Sequence, residues 1–457
     1  MSQALAVSNK INKKLTTPQI LKRGMYATWG ASLLLLVATI MGAQGQRQAI
    51  KTVGQDATPS IITAQRLKDA MAGMDANAAS ELLVPSGQNP DAVKGYEERR
   101  QKAAERLVAA AENITFDKKE RDPINTMQLG IGEYIAKIQQ ARDAHARGDT
   151  KATIVAYRAA AEILDTKLIP AADALDKANF DELDRSYSQQ RSASSGALVF
   201  ILFYGLLTLG VLVMLQVFLS RRMRRTLNPM LLGASAIAFL FLAYTTMAFL
   251  SASRNLKVAK EDAFTSMHAL RQARALVYGA NSNESRYLLD SQFASNHERA
   301  FFDKIDKVAK IPKGTTFDNV IEASTQGQKV KGFTGYLADQ LNNITFDGER
   351  EATVSNLRTL ADYVAIDQKI RQLKQSGKLA EAITLCVGSN TGESNWAFKQ
   401  FLDANQKSYD INKKAFDDSI KQGFQDVEGF EIKAVIVTIA IASLTLFGLR
   451  PRLKEYD

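Results

Sequence analysis

Four uncharged, mostly apolar stretches punctuate the 457-residue chain: about Tyr26–Ala43, Gly196–Leu219, Met230–Leu250 and Ala434–Leu449. Roughly 20 apolar residues cross a bilayer as a helix, within a range of about 17–25, so each stretch reads as a membrane span. The fourth is short, but Lys433 and Arg450 flank it and can extend to the two interfaces. Trp29 stands near the entry of the first span, where an interfacial anchor is expected. Two long polar segments lie between the spans, and their apolar residues keep a helical period. Ile124, Met127, Ile131, Tyr134 and Ile138 alternate steps of three and four, as do Val354, Leu357, Leu360 and Val364. Strand-like alternation is absent. The pattern predicts an all-α chain with four transmembrane helices and two tandem, elongated extracytoplasmic four-helix bundles.

The two polar segments read as copies of one unit. Asn113-Ile114-Thr115-Phe116-Asp117 returns as Asn343-Ile344-Thr345-Phe346-Asp347. Ahead of that motif Asp56, Ser60, Gly73 and Asn77 match Asp262, Ser266, Gly279 and Asn283, each pair 206 positions apart. The motif itself recurs after 230 positions, and Tyr134, Arg142 and Gly148 match Tyr363, Arg371 and Gly377 after 229. The second copy thus carries about 24 extra residues, expected near Phe301–Asn319. Both copies enter and leave the membrane in the same direction, a parallel repeat. Asp117 with Glu120 reads as a helix N-cap with its capping-box partner, and Asp347, followed by Arg350, as the cap alone. Gly148 and Gly377 are expected to stop helices, and Pro170 to break or kink one.

Charge then orients the chain. The net charge is +10, but its basic clusters abut membrane ends. Lys22 and Arg23 precede the first span; Arg221, Arg222, Arg224 and Arg225 fill the link between the second and third; Arg450 and Arg452 follow the fourth. By the positive-inside rule these basic residues anchor the cytoplasmic side of a bacterial inner membrane, with both termini cytoplasmic and both polar segments periplasmic. The lipid bilayer, not nucleic acid, is the partner this distribution implies. The expected partition is a basic N-terminus 1–25, spans 26–44, 196–220, 230–250 and 433–449, bundles 45–195 and 251–432, a link 221–229 and a tail 450–457. The first span could be a cleaved signal peptide, but its internal counterpart favours a retained anchor.

Little in the sequence suggests catalysis. His145, His268 and His297 are scattered, and no phosphate loop, dinucleotide fingerprint or nucleophile elbow appears. No cofactor or metal is expected, and the chain reads as a non-enzyme. Carboxylates such as Asp56, Asp262, Glu81 and Glu284 read as solvated helix faces, and the lone Cys386 as a small buried side chain. The spans lack ionisable groups, which disfavours a transporter. Their Gly30-Ala31-Ser32 and Gly233-Ala234-Ser235 runs suit close helix packing. The repeated motif offers Asn113, Thr115, Asp117, Asn343, Thr345 and Asp347 as candidate ligand or partner contacts, although a structural helix corner explains it as well. Arg142 and Arg371 are candidate anion contacts, with surface salt bridging as the plainer reading.

A four-helix bundle held between two spans resembles the periplasmic sensor regions of bacterial chemoreceptors and histidine kinases. The run from Tyr134 and Arg142 through Gly148-Asp149 to Leu168-Ile169-Pro170-Ala171-Ala172-Asp173 and Leu175 also resembles uncharacterised bacterial membrane proteins with such bundles. The resemblance implies a sensor that detects a ligand or envelope state. It departs from that pattern on the cytoplasmic side, where the segments are too short for a kinase or a methyl-accepting rod. A protein partner in the membrane or periplasm, or homo-oligomerisation, would then carry the output. The alternative is a scaffold or assembly subunit of a larger membrane complex.

Overall fold

The structure is a computed structural model describing residues 16–114, 118–223 and 227–456. The first copy runs α1 (Thr17–Lys51), a π-turn (Thr52–Ala57), α2 (Thr58–Glu81), α3 (Pro90–Glu112), α4 (Lys118–Ala146), α5 (Thr150–Ile163), a second π-turn (Leu164–Leu168) and α6 (Ile169–Met223). The second copy runs α7 (Pro229–Lys257), a π-turn (Val258–Phe264), α8 (Thr265–Leu289), α9 (Ala294–Val308), α10 (Phe317–Thr325), α11 (Tyr336–Asn342), α12 (Glu349–Gln375), α13 (Leu379–Val387), α14 (Ser394–Asp426) and α15 (Phe430–Leu453). Among the described residues there is no strand, only an isolated bridge between Lys310 and Thr334. The all-α fold is as the sequence predicts, and four helical runs are long and apolar enough to cross a membrane.

The chain divides into two compact units. One holds the described residues of Met1–Ala49, Ser188–Arg254 and Gln422–Asp457. Leu21, Leu212, Leu231, Ala234 and Ile441 meet in one of its cores, and Leu35, Ile201, Phe249 and Phe430 in another. Phe203, Leu240 and Met247 point outward at 60%, 65% and 71% exposure, a surface that suits lipid rather than water. Ala31, Ser32 and Ala234 are buried as packing residues, whereas Gly30 faces open space. Trp29 departs from expectation: its indole N–H donates to the Ala442 carbonyl at 3.2 Å and its ring packs into this core.

The other unit holds both polar segments, Ile50–Tyr187 and Asn255–Lys421. α2 packs along α3 and along α8, and α8 along α9 and α11, so α2 and α8 form the joint between the copies. Ala64, Ala70, Ala78, Ala273 and Ala280 let these two helices approach their neighbours closely, and all are buried. The predicted seam is also buried at Ile124, Met127, Tyr134, Ile138, Val354, Leu357, Leu360 and Val364.

The repeat is legible in three dimensions. Asn77 and Asn283 each donate back to the carbonyl of Gly73 and Gly279, both at 2.7 Å. α4 and α12 end alike, with Gly148 (φ 74°) and Gly377 (φ 80°) in the left-handed conformation just beyond the last turn. The π-turns at Thr52–Ala57 and Val258–Phe264 fall on the matched Asp56 and Asp262 segments. Pro170 does not break its helix. The π-turn just before it absorbs the strain, and a single helical run extends over Thr150–Arg222. The added length in the second copy occupies residues 309–335, overlapping the later part of Phe301–Asn319 and extending beyond it. α9 and α11 together correspond to the single helix α3, and both α3 and α11 end on the motif asparagine, Asn113 or Asn343. The insertion between them carries α10 and returns at Gly335. There φ is 103°, and a Cβ would lie 2.8 Å from the carbonyl oxygens of Lys307 and Val308.

Candidate functional site: buried charge around the paired helices

Most side chains of α8 are buried, polar ones included, because α2, α9, α11 and α13 surround it. A charge in such a place needs partners, since leaving one unpaired costs several kcal/mol. The partners come largely from the other copy. Arg286 on α8 is 4% exposed and donates to Asp75 on α2 at 2.7 Å, to Asp165 at 2.7 Å and to the Tyr157 hydroxyl at 3.1 Å. Asp75, fully buried, also accepts from Tyr157 at 3.1 Å, from Tyr134 at 3.5 Å and from Ser282. Burial works against the Arg286 charge, but Asp75, Tyr157 and Asp165 outweigh it and hold the guanidinium well above its usual range. Burial pushes the Tyr134 and Tyr157 hydroxyls up, and the Asp75 charge pushes the same way, so both stay protonated donors.

Further pairs line the same joint. Lys68 reaches Asp173 at 2.5 Å and Gln272 at 3.1 Å; Asp176 accepts from Gln272 at 2.8 Å and lies 3.0 Å from His268. Asp69 sits 3.7 Å from Arg271 and 3.6 Å from Arg274, and burial raises its carboxyl despite both cations. Arg158 grips Asp290 with two 2.6 Å hydrogen bonds.

A second cluster belongs to the second copy alone. Glu284 on α8 is fully buried. Its Oε1 accepts from Ser394 at 2.6 Å and from the Cys386 thiol at 3.4 Å, while Oε2 receives no hydrogen bond. Across from it Asp367 on α12, also fully buried, takes both its hydrogen bonds from Arg371, at 2.7 and 2.8 Å. Burial, with the Asp367 charge beside it, pushes the Glu284 carboxyl up to about 8. Burial raises Asp367 to about 6 against the pull of Arg371. With its carboxyl raised the further of the two, Glu284 is the one that keeps its proton at neutral pH, while Arg371 offsets the charge of Asp367. The Cys386 thiol is pushed well up by burial and by Glu284.

The residues singled out by sequence fare unevenly. Arg142 is not a free surface cation: it holds Glu81 through three contacts of 2.7 to 3.0 Å and stacks on the Tyr96 ring. Arg371 is 4% exposed, bound to Asp367, and lies over Tyr287, Phe301 and Phe302. Both matched arginines are thus engaged by carboxylates and aromatic faces of the fold itself. Asn113 donates to Ser60 at 2.5 Å and Asn343 to the matched Ser266 at 3.0 Å, so the motif asparagine ties a helix corner in each copy. Thr115 and Asp117 lie outside the described residues. Thr345 is exposed and bonds locally to the Asn343 carbonyl at 3.2 Å. Asp347 is exposed and does not cap its helix; the N-cap is Gly348, at φ 78°. The buried Glu349 carboxylate instead accepts from the backbone of Thr345 at 2.9 Å and Phe346 at 3.2 Å. Glu349 is the counterpart of Glu120, and both are buried. Neither Glu81 nor Glu284 is on a solvated face. The basic residues Lys22, Arg23, Arg221, Arg222 and Arg450 are exposed, Arg452 is partly covered and pairs with Glu455, and Arg224 and Arg225 lie outside the described residues.

Residues 49–188 match the model of an actinobacterial sensor domain. This supports a sensor-like bacterial domain. The matched span is the first polar copy almost to its ends, from the close of α1 through α2–α5 and into α6. No curated protein and no solved structure matches the chain.

Proposed function

We propose that the chain is a non-enzymatic, multi-pass membrane sensor of the bacterial inner membrane. Its polar unit detects a ligand or an envelope state in the periplasm, and its output is delivered by a partner protein. The observation that carries this reading is the coincidence of the sensor-domain match with one copy of the repeat. Unbroken helical runs add to it: Thr17–Glu81, Thr150–Arg222 and Pro229–Leu289 each join a candidate membrane span to a segment of the polar unit. A helix continuous in this way can pass on a rotation or a piston shift. The ion pairs between α2 and α8 are discrete contacts that a stimulus would have to break or keep, which suits a two-state element better than a gradual one.

The test is purification of the tagged full-length chain from gently solubilised membranes, as wild type and as Arg286→Gln, which loosens the α2–α8 joint. A sensor should bring down a regulatory protein whose recovery changes with the substitution. A fixed-stoichiometry complex indifferent to the substitution would make the chain a scaffold. Recovery of the chain by itself in both cases would overturn the proposal.

A further inference from the structure

Where α1 and α6 lie against one another in the membrane unit, Leu215 fills the space a side chain would take at Gly24. This close approach floors a groove of about 870 Å³. Ile20, Ala27, Val211, Met214 and Phe218 supply its apolar walls, and Arg23, Arg221 and Arg222 also line it, towards the start of α1 and the end of α6. The three guanidiniums come from two different helices and are exposed. None has a carboxylate within ion-pair distance among the described residues, in contrast to Arg452, which is spent on Glu455. The chain therefore presents an apolar groove that also carries a concentrated positive charge.

We propose that this groove is a binding site for an acidic phospholipid. One acyl chain lies along Ala27, Val211 and Met214, and the phosphate is held by Arg23, Arg221 and Arg222. The charge pattern selects this occupant. A zwitterionic lipid would bring a choline or ethanolamine cation against the three arginines. A helix from another protein would fill the walls but leave the arginines unmatched. Guanidinium forks pair with phosphate oxygens through two parallel hydrogen bonds, and basic pockets between membrane helices are suited to anionic headgroups. The site is independent of the stimulus proposed for the polar unit, so it stands whether or not the chain is a sensor.

The test is native mass spectrometry of the full-length chain in mild detergent, titrated with phosphatidylglycerol or with phosphatidylcholine of the same acyl chains. Wild type should retain one phosphatidylglycerol at least tenfold better than phosphatidylcholine. Arg23→Gln/Arg221→Gln/Arg222→Gln should lose that preference, and Arg450→Gln should keep it. Ala27→Trp, which fills the groove and leaves the charges, should reduce retention of both lipids. Undiminished preference in the triple variant would overturn the proposal. So would a dimer mass that excludes lipid, since a second copy would then occupy the groove. If the triple variant does not fold, the Ala27→Trp variant decides on its own.

Discussion

Replacing Glu284 by Gln isolates the buried carboxyl pair. Glutamine has the shape of the protonated acid, still accepts from Ser394, and can donate its amide to Asp367, but it cannot ionise. In the wild type the Glu284 carboxyl is held near 8, against about 4.5 for an unhindered glutamate. The folded state therefore binds this proton more tightly than the unfolded state does. Stability from this group is full below about pH 4.5 and is lost as pH rises through about 8. Between pH 6 and pH 9 that linkage amounts to about 3 kcal/mol. Unfolding of the full-length chain in mild detergent, followed by circular dichroism at pH 6 and pH 9, reads it out. Wild type and Glu284→Gln should be similar at pH 6, and the variant should be more stable by about 3 kcal/mol at pH 9. Titrating groups remote from Glu284 are common to both proteins and cancel in the comparison. If the two stabilities run parallel with pH, Glu284 is not a buried acid that keeps its proton at neutral pH.

Arg286→Met leaves Asp75 buried without its cation and should cost about 3–5 kcal/mol; adding Asp75→Asn should restore much of that in denaturant titration. Cys386, buried and raised, should react with iodoacetamide only after unfolding, and labelling of the native chain at the rate of a free thiol would refute its placement. Gly335→Ala meets both an unfavourable φ and two carbonyl oxygens, so it should lose more stability than Gly314→Ala, which has a similar φ but open space. Equal losses in thermal melts would sink the close approach. Reporter fusions at Tyr456 should show a cytoplasmic phenotype and fusions near Pro85 or Pro312 a periplasmic one, as the proposed orientation requires.

The parts legible in the sequence are those set by local rules. Membrane spans follow from uncharged length, the Tyr134 and Leu357 seams from periodicity, and the α4 and α12 ends from Gly148 and Gly377. What escaped depends on packing between distant segments. Glu284 and Glu81 read as solvated because carboxylates are ordinarily exposed, but Glu284 lies on α8, wrapped by several helices, and Glu81 is clasped by Arg142 of α4. The tie between Glu349 and Glu120 was hidden because the second copy is one residue shorter between its motif aspartate and its buried glutamate. In the second copy Gly348 stands at the N-cap. Arg142 and Arg371 were rightly matched as a pair, but their partners differ. Glu81 sits on another helix, whereas Asp367 is one turn back on the arginine's own helix, and sequence symmetry cannot predict that divergence. Pro170 misled because a π-turn can absorb a proline, and π-turns leave little trace in composition.

The π-turns also date the history of the chain. One extra residue in a helix swings everything beyond it by about 100°, so an ancestor acquiring it in one copy would have had to repack that whole copy. Both copies carry the turn at the same aligned aspartate, Asp56 and Asp262. The simplest history places this change in a single-copy ancestor, already folded around it before the gene doubled. The helix-splitting insert of the second copy and the Leu164–Leu168 turn of the first have no such twin, and record how the halves diverged once two existed. A relative with one polar segment between two spans would be expected to keep the first π-turn and to lack the insert.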